Sequence, residues 1–375
     1  MAYIFNIIYR FINLNKMVDK MPDEFSEITK PLIKEMWEEG YFTIPLPGKG
    51  RKEFRLDMPA FERFDVIAMK WDGEELKVNG IECKIRAKDA IPQARTYQLC
   101  IPDVYIASRE KISKELAEKL NQYGIGYIEV SKDGIKTVLE SRRSFLFNKR
   151  FYENEVLPRL TTILIFYDYM EKCLGIDREK ILEKIDLGIQ REYLWISNIR
   201  ASDNVQWSMT YNGSTKTMRF GINLESVKVI RKTFHNKSRE EVLTFFKKLK
   251  KQLPGNFIIK FENRCPGYPE RRMFPGISHQ PFNELGVSQK RVLELSENDI
   301  NFMAEKIRSY EYIEFGIWIE ICKEREIQSW TRKDLLRKIK YYKEKYLQEI
   351  YNILIENNNS ILRNNDIVGS RNYKN

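Results

Sequence analysis

Apolar residues recur at helical spacing through residues 26–40, SEITKPLIKEMWEEG, where Leu32, Met36 and Trp37 share a face and Gly40 closes the run. Pro31 falls in the first turn, where its missing N–H is tolerated. The period then shortens. YFTIPL and KEFRLDM read as strand-like pieces around a Pro/Gly/Lys turn, RFDVIAMKW as a strand, DGEE as a turn, and LKVNGIECKI as another strand. AIPQARTYQLC predicts a helix, DVYIAS a buried strand, SKELAEKLNQYG a helix closed by Gly124, and IGYIEV a strand. Strands alternating with helices predict an α/β domain whose mixed or parallel sheet is covered on its faces.

Beyond ESRRSFLFNKR the pattern changes. Residues 151–193 read as mostly helical, and VQWSMTYNGSTKTMRFGINL as two strands around Asn212-Gly213, a hairpin signal. REEVLTFFKKLKKQL predicts an amphipathic helix and NFIIKFEN a strand. Residues 264–282 form a Pro/Gly-rich loop, and helices at 297–309 and 331–356 flank the strand YIEFGIWIEI. Trp207, Tyr211 and Phe220 of the hairpin are expected in the core. The Asn-rich tail, 357–375, predicts disorder.

A chain of 375 residues is long enough for two or more domains. We divide it into an N-terminal extension (1–21), an α/β domain (22–145), a basic α+β domain (146–356) and the tail. The extension, MAYIFNIIYRFINLNKM, is apolar but interrupted by Arg10 and too short to span a bilayer. It also lacks the features of a signal peptide. Either it is an amphipathic helix packing on the body, or it is upstream sequence from a misassigned start, with Met17 or Met21 the true one. A cytoplasmic protein without a membrane segment is the expectation.

The formal net charge of +11 is unevenly spread. Residues 1–145 carry 24 Lys and Arg against 23 Asp and Glu, and the rest of the chain 40 against 30. A basic C-terminal region beside a neutral one suits phosphate binding. Five cysteines without a CxxC pair, and only His235 and His279, argue against a zinc site and against Ser-His-Asp or Cys-His catalysis. Carboxylates and lysine must carry any chemistry.

One stretch concentrates them. In GIECKIRAKDAIPQA, residues 80–94, alternation along a strand puts Glu82 and Lys84 on one face while Ile81, Cys83 and Ile85 pack on the other. Asp65 lies on the preceding strand among Phe64, Val66 and Ile67, where a carboxylate needs a partner. If the strands are neighbours, Asp65 and Glu82 form a hard oxygen site for Mg²⁺ or Mn²⁺. Such an ion lowers the pKa of a bound water, and Lys84 beside it can orient that water or stabilise the transition state. Glu27 can add an outer carboxylate, and Gln93 can hold a water or a phosphate.

This order of residues resembles the PD-(D/E)xK nuclease superfamily, with its restriction-endonuclease-like fold. The matching residues are Glu27 in SEITKP, Asp65 in RFDVIA, Glu82-Cys83-Lys84 in GIECKI, and Gln93 with Tyr97 in the spacing of a QxxxY motif. The likeness covers residues 22–140 and departs at Phe64, which stands where the name-giving proline would be. It implies a restriction-endonuclease-like mixed sheet flanked by helices, here followed by the basic α+β region. It implies metal ligation by Asp65, Glu82 and Glu27, with Lys84 activating the attacking water and Gln93 supporting it.

The expected function is metal-dependent hydrolysis of DNA, in preference to RNA, with the basic C-terminal region binding nucleic acid. Arg271 and Arg272 in the long loop, and Lys333, Arg337 and Lys340 on a helix interleaved with Tyr341, Tyr342 and Tyr346, are the candidate phosphate contacts. Cutting both strands would favour a homodimer. The alternative is a non-catalytic nucleic-acid or protein interaction module that keeps the nuclease fold.

Overall fold

The computed structural model describes residues 23–47, 64–189, 193–198, 205–224, 230, 233–234, 237–263, 289–309, 313–323, 326 and 329–356. The expected strand KEFRLDM, the loop with Arg271, Arg272 and His279, the N-terminal extension and the Asn-rich tail lie outside them. The chain divides into two compact units after Tyr152.

The first unit opens with a π-helical turn, Phe25–Thr29, running into α1 (Lys30–Glu38). Then follow β1 (Phe42–Ile44), β2 (Val66–Asp72), β3 (Glu75–Cys83), α2 (Ala87–Tyr97), β4 (Asp103–Ser108), α3 (Lys114–Tyr123), β5 (Gly126–Ser131) and β6 (Gly134–Leu139). The six strands stand in chain order in one sheet. β1, β2 and β3 pair antiparallel, β3, β4 and β5 pair parallel, and β6 returns antiparallel. This is an α/β unit with a mixed sheet flanked by helices.

Sequence alternation decides which helix covers which face. Ile28, Leu32, Ile33 and Met36 pack on Val66, Ala68, Ile81, Cys83, Ala107, Ile128 and Val130. Glu82 stands between Ile81 and Cys83 and therefore faces the other way, beneath α2. Ser113 caps α3 by accepting the Leu116 N–H at 3.2 Å. The helix ends where the sequence predicts, on Gly124 at φ 73°, where a Cβ would lie 2.6 Å from the Arg142 carbonyl oxygen.

In the second unit, α4 (Leu157–Leu174) and α5 (Arg178–Lys184) precede β7 (Ile185–Ile189), β8 (Tyr193–Asn198), β9 (Gln206–Asn212) and β10 (Thr217–Leu224). The expected helical run through residue 193 thus stops at Lys184. Next come α6 (Arg239–Gln252), β11 (Ile258–Asn263), β12 (Gln289–Arg291), α7 (Glu297–Ser309), β13 (Ile313–Lys323) and α8 (Arg332–Tyr342). The strands form a second sheet in the order β12-β11-β13-β10-β9-β8-β7, with antiparallel pairing throughout. Trp207, Tyr211 and Phe220 are buried core residues, and Tyr169 of α4 packs edge-on against Trp207 and Phe220. Asp168 of the same helix accepts two hydrogen bonds from Arg332, at 2.7 and 2.6 Å.

Among the described residues no helix is long and apolar enough to cross a membrane.

Candidate active site

The register of β2 on β3 builds the site. Val66 pairs with Ile81, and one further step toward the strand end sets Asp65 beside Glu82. Asp65 lies one residue before β2 rather than within it, at a bend after Phe64. Its Oδ2 accepts the Cys83 backbone N–H at 2.9 Å, which ties it to the end of β3. Lys84 is the first residue beyond β3, and its own N–H donates to the Ala107 carbonyl at 3.1 Å, holding the segment against β4.

Lys84 collects carboxylates from both layers of the unit. Its Nζ stands 3.0 Å from Glu24 Oε1 and 3.0 Å from Glu82 Oε1, with Asp65 Oδ2 at 3.9 Å. Glu24 comes from the helical turn on one face, and Glu82 projects toward the opposite face. The ammonium is off hydrogen-bonding alignment with Glu82, so the buried Oε1 carries an ion pair without a directed hydrogen bond.

The other Glu82 oxygen is fixed from α2. The Tyr97 hydroxyl donates to Oε2 at 2.6 Å and accepts from Gln93 Nε2 at 3.0 Å and from the Asp65 N–H at 3.3 Å. The four-residue spacing of Gln93 and Tyr97 puts both on one side of the helix, above β3. Phe64 packs its ring 4.3 Å from that of Tyr97. Phe64, next to Asp65, thus braces the tyrosine.

The electrostatics follow from burial. Glu82 is fully buried, and burial, reinforced by the nearby Asp65 charge, pushes its carboxyl up to about 8 against the pull of Tyr97 and Lys84. Burial opposes the charge on Lys84, but Glu82, Asp65 and Glu24 outweigh it and hold the ammonium above its ordinary range. Burial and then Glu82 raise the Tyr97 phenol, which stays a donor.

Asp65, Glu82, Lys84 and Gln93 therefore converge, and Glu27 does not join Lys84. The Glu27 carboxylate pairs with Arg109, just beyond β4, and Glu24 takes the place next to the lysine. Glu27 lies inside the π turn Phe25–Thr29, and Glu24 stands at its N-terminal end. Glu24 carried a signal of its own, an acid at the helix start, but it precedes the Ser26 from which the periodic run was counted.

Among the described residues no three His, Cys, Asp or Glu side chains are arranged to hold a metal ion by themselves. The donor set nonetheless fits a divalent cation held in the usual way for Mg²⁺, through one or two carboxylates and several waters. Asp65 and Glu82 supply hard oxygens, and Glu82 Oε1 is a buried carboxylate oxygen with no directed hydrogen bond.

No family model matches this chain, and no curated protein matches it.

In the second unit, Lys333, Arg337 and Lys340 are exposed on α8. Arg337 pairs with Asp334 at 2.7 Å, and Lys340 stands 3.9 Å from Glu344. Tyr342 and Tyr346 pack edge-on against Phe257, and Tyr341, 47 % exposed, has the Lys345 ammonium 5.1 Å from its ring centroid and accepts a hydrogen bond from it at 2.8 Å.

Proposed function

We propose that the chain is a metal-dependent phosphodiesterase of the PD-(D/E)xK type, with a restriction-endonuclease-like first unit that hydrolyses DNA. The observation that carries this reading is the convergence of Glu24, Asp65 and Glu82 on Lys84 at the end of the antiparallel β2–β3 pair, beside parallel β4.

Asp65 and Glu82 would hold Mg²⁺ or Mn²⁺, which when bound lowers the pKa of a coordinated water and offsets charge on the phosphate. Tyr97 and Gln93 lock one oxygen of Glu82, so the other faces Lys84 in a fixed direction. Lys84 keeps its proton at neutral pH, so it acts as a donor. It orients the attacking water or neutralises the developing negative charge on the phosphoryl oxygens, and it does not act as a general base. Glu24 anchors that ammonium from the helix side. The surplus of cations beyond residue 145 supports a nucleic-acid substrate, DNA in preference to RNA, with the second unit contributing contacts.

One observation favours a second reading, a non-catalytic interaction module. The Lys84 ammonium already stands between Glu24 and Glu82, within 3.0 Å of each, and so occupies space a cation would need. The two readings part on divalent-cation dependence. Cleavage of plasmid, single-stranded or branched DNA that needs Mg²⁺ or Mn²⁺ and is lost in Glu82→Ala supports the enzyme. Salt-sensitive DNA binding without cleavage supports the module.

A further inference from the structure

The first unit is nearly neutral over residues 1–145, and unpaired cations gather at one end of its sheet. β2 ends and β3 and β4 begin at one edge, where Asp72, Glu74, Glu75 and Asp103 sit and Lys77 pairs with Asp72 at 2.5 Å. The parallel strands β3 and β4 finish at the other edge, beside the Lys84 cluster. Two segments leave that edge together. Residues 84–88, KIRAK, hold three cations and no acid, and residues 109–114, REKISK, hold three cations and one acid. They are stitched side by side: Ser108 Oγ donates to the Ile85 carbonyl at 2.9 Å, and the Ala87 N–H donates to Glu110 Oε2 at 2.8 Å. The one acid, exposed Glu110, thus caps the first turn of α2 with one carboxylate oxygen.

Arg86, Lys88, Lys111 and Lys114 are exposed on these segments, and among the described residues none of them makes an ion pair. Their placement runs against local stability. Arg86 is the N-cap of α2 and Lys88 lies in its first turn, while Lys111 and Lys114 flank Ser113, the N-cap of α3. A helix N-terminus favours anions, and cations there are mildly destabilising. Asp89 and Glu115, also in the first turns, are the residues that the helices themselves favour.

We infer that Arg86, Lys88, Lys111 and Lys114 form a phosphate-backbone track for duplex DNA, lying on the first unit itself beside the carboxylate–lysine cluster. The inference rests on the proposed nuclease reading and names the part of the first unit that grips the substrate. The phosphate is the recognised group, so the track is indifferent to base sequence.

The test is binding of a labelled duplex to the full chain in EDTA, which prevents cutting, across about 50–200 mM salt. Wild type is compared with the variant carrying R86Q, K88Q, K111Q and K114Q. The expected result is a log–log salt slope shallower by about 3.6, roughly 0.9 for each of the four phosphate contacts, with a thermal midpoint equal to or above that of wild type. An unchanged salt slope overturns the track. A lower thermal midpoint without a change in slope also overturns it, because the four cations would then serve the fold alone. The measurement is independent of catalysis. If no substrate is cut, the nuclease reading fails while the slope still decides the track, and if cutting depends on Glu82 but the slope is unchanged, only the track fails.

Discussion

Lys84 Nζ and Glu24 Oε1 stand 3.0 Å apart although 60 positions separate them in the chain. The contact joins the end of β3 to the turn that precedes α1, so the helix entry is part of the site. Glu27, three residues further on, is spent on Arg109. Glu24→Gln is therefore expected to lower cleavage by about 10²-fold by releasing the ammonium from its position. Glu27→Gln should leave cleavage near wild type and cost at most about 1 kcal/mol of stability, as a partly exposed ion pair does. Rates for the two variants on one DNA substrate check this, and the reverse ranking would restore Glu27 to the site.

Tyr97→Phe removes the donor to Glu82 Oε2 and the acceptor for Gln93 and the Asp65 N–H. Equilibrium denaturation should show a loss of about 1–3 kcal/mol. Because the hydroxyl stabilises ionised Glu82, its loss should also move the acid limb of the pH–rate profile to higher pH. A stability loss with an unmoved profile would reduce Tyr97 to packing.

The Glu82 carboxyl has its ordinary value of 4.5 in the unfolded chain and about 8 in the folded one. Between those values the folded protein holds a proton that the unfolded chain has released. Its contribution to stability is thus full below 4.5, falls as pH rises across the window, and is lost above about 8. Denaturation in EDTA at both ends of the window, with Glu82→Gln as the flattened reference, measures this. A steeper fall in the variant than in wild type would assign the proton to another group.

The same proton bears on cation binding. Well inside that window, at about pH 6, loading Mn²⁺ should release close to one proton per ion. Calorimetry in two buffers of different ionisation enthalpy reads the number directly, and zero release would exclude Glu82 as a ligand.

Much of the first unit was legible because its periodicities are clean. The strands carrying Val66–Asp72 and Glu75–Cys83, the helix over Gln93 and Tyr97, and the Gly124 stop follow from alternation, spacing and one positive φ. β6 was not, because Gly134–Leu139 is an exposed edge strand with little apolar alternation to read. Glu24 was not legible because its place beside Lys84 is a contact across 60 positions. In the second unit, Asn212-Gly213 marks the β9–β10 turn correctly, but pairing closes at Asn212 with Thr217, which makes the loop four residues long. The Asp168–Arg332 pair, 164 residues apart, has no local signature at all.

That pair gives a prediction of its own. Arg332→Ala leaves buried Asp168 with Lys172 at 3.2 Å as its remaining cation, and should cost about 3 kcal/mol in denaturant unfolding. Arg337→Ala, on the exposed side of α8 and paired with Asp334 one turn away, should cost at most about 1 kcal/mol.

The most direct test of the central claim is cleavage of supercoiled plasmid by wild type, Glu82→Ala and Lys84→Ala, each with Mg²⁺, with Mn²⁺ and with EDTA. The account predicts cutting by wild type with either ion, none in EDTA, and loss in both variants while DNA binding persists. Cutting that survives in EDTA or in Glu82→Ala would contradict it.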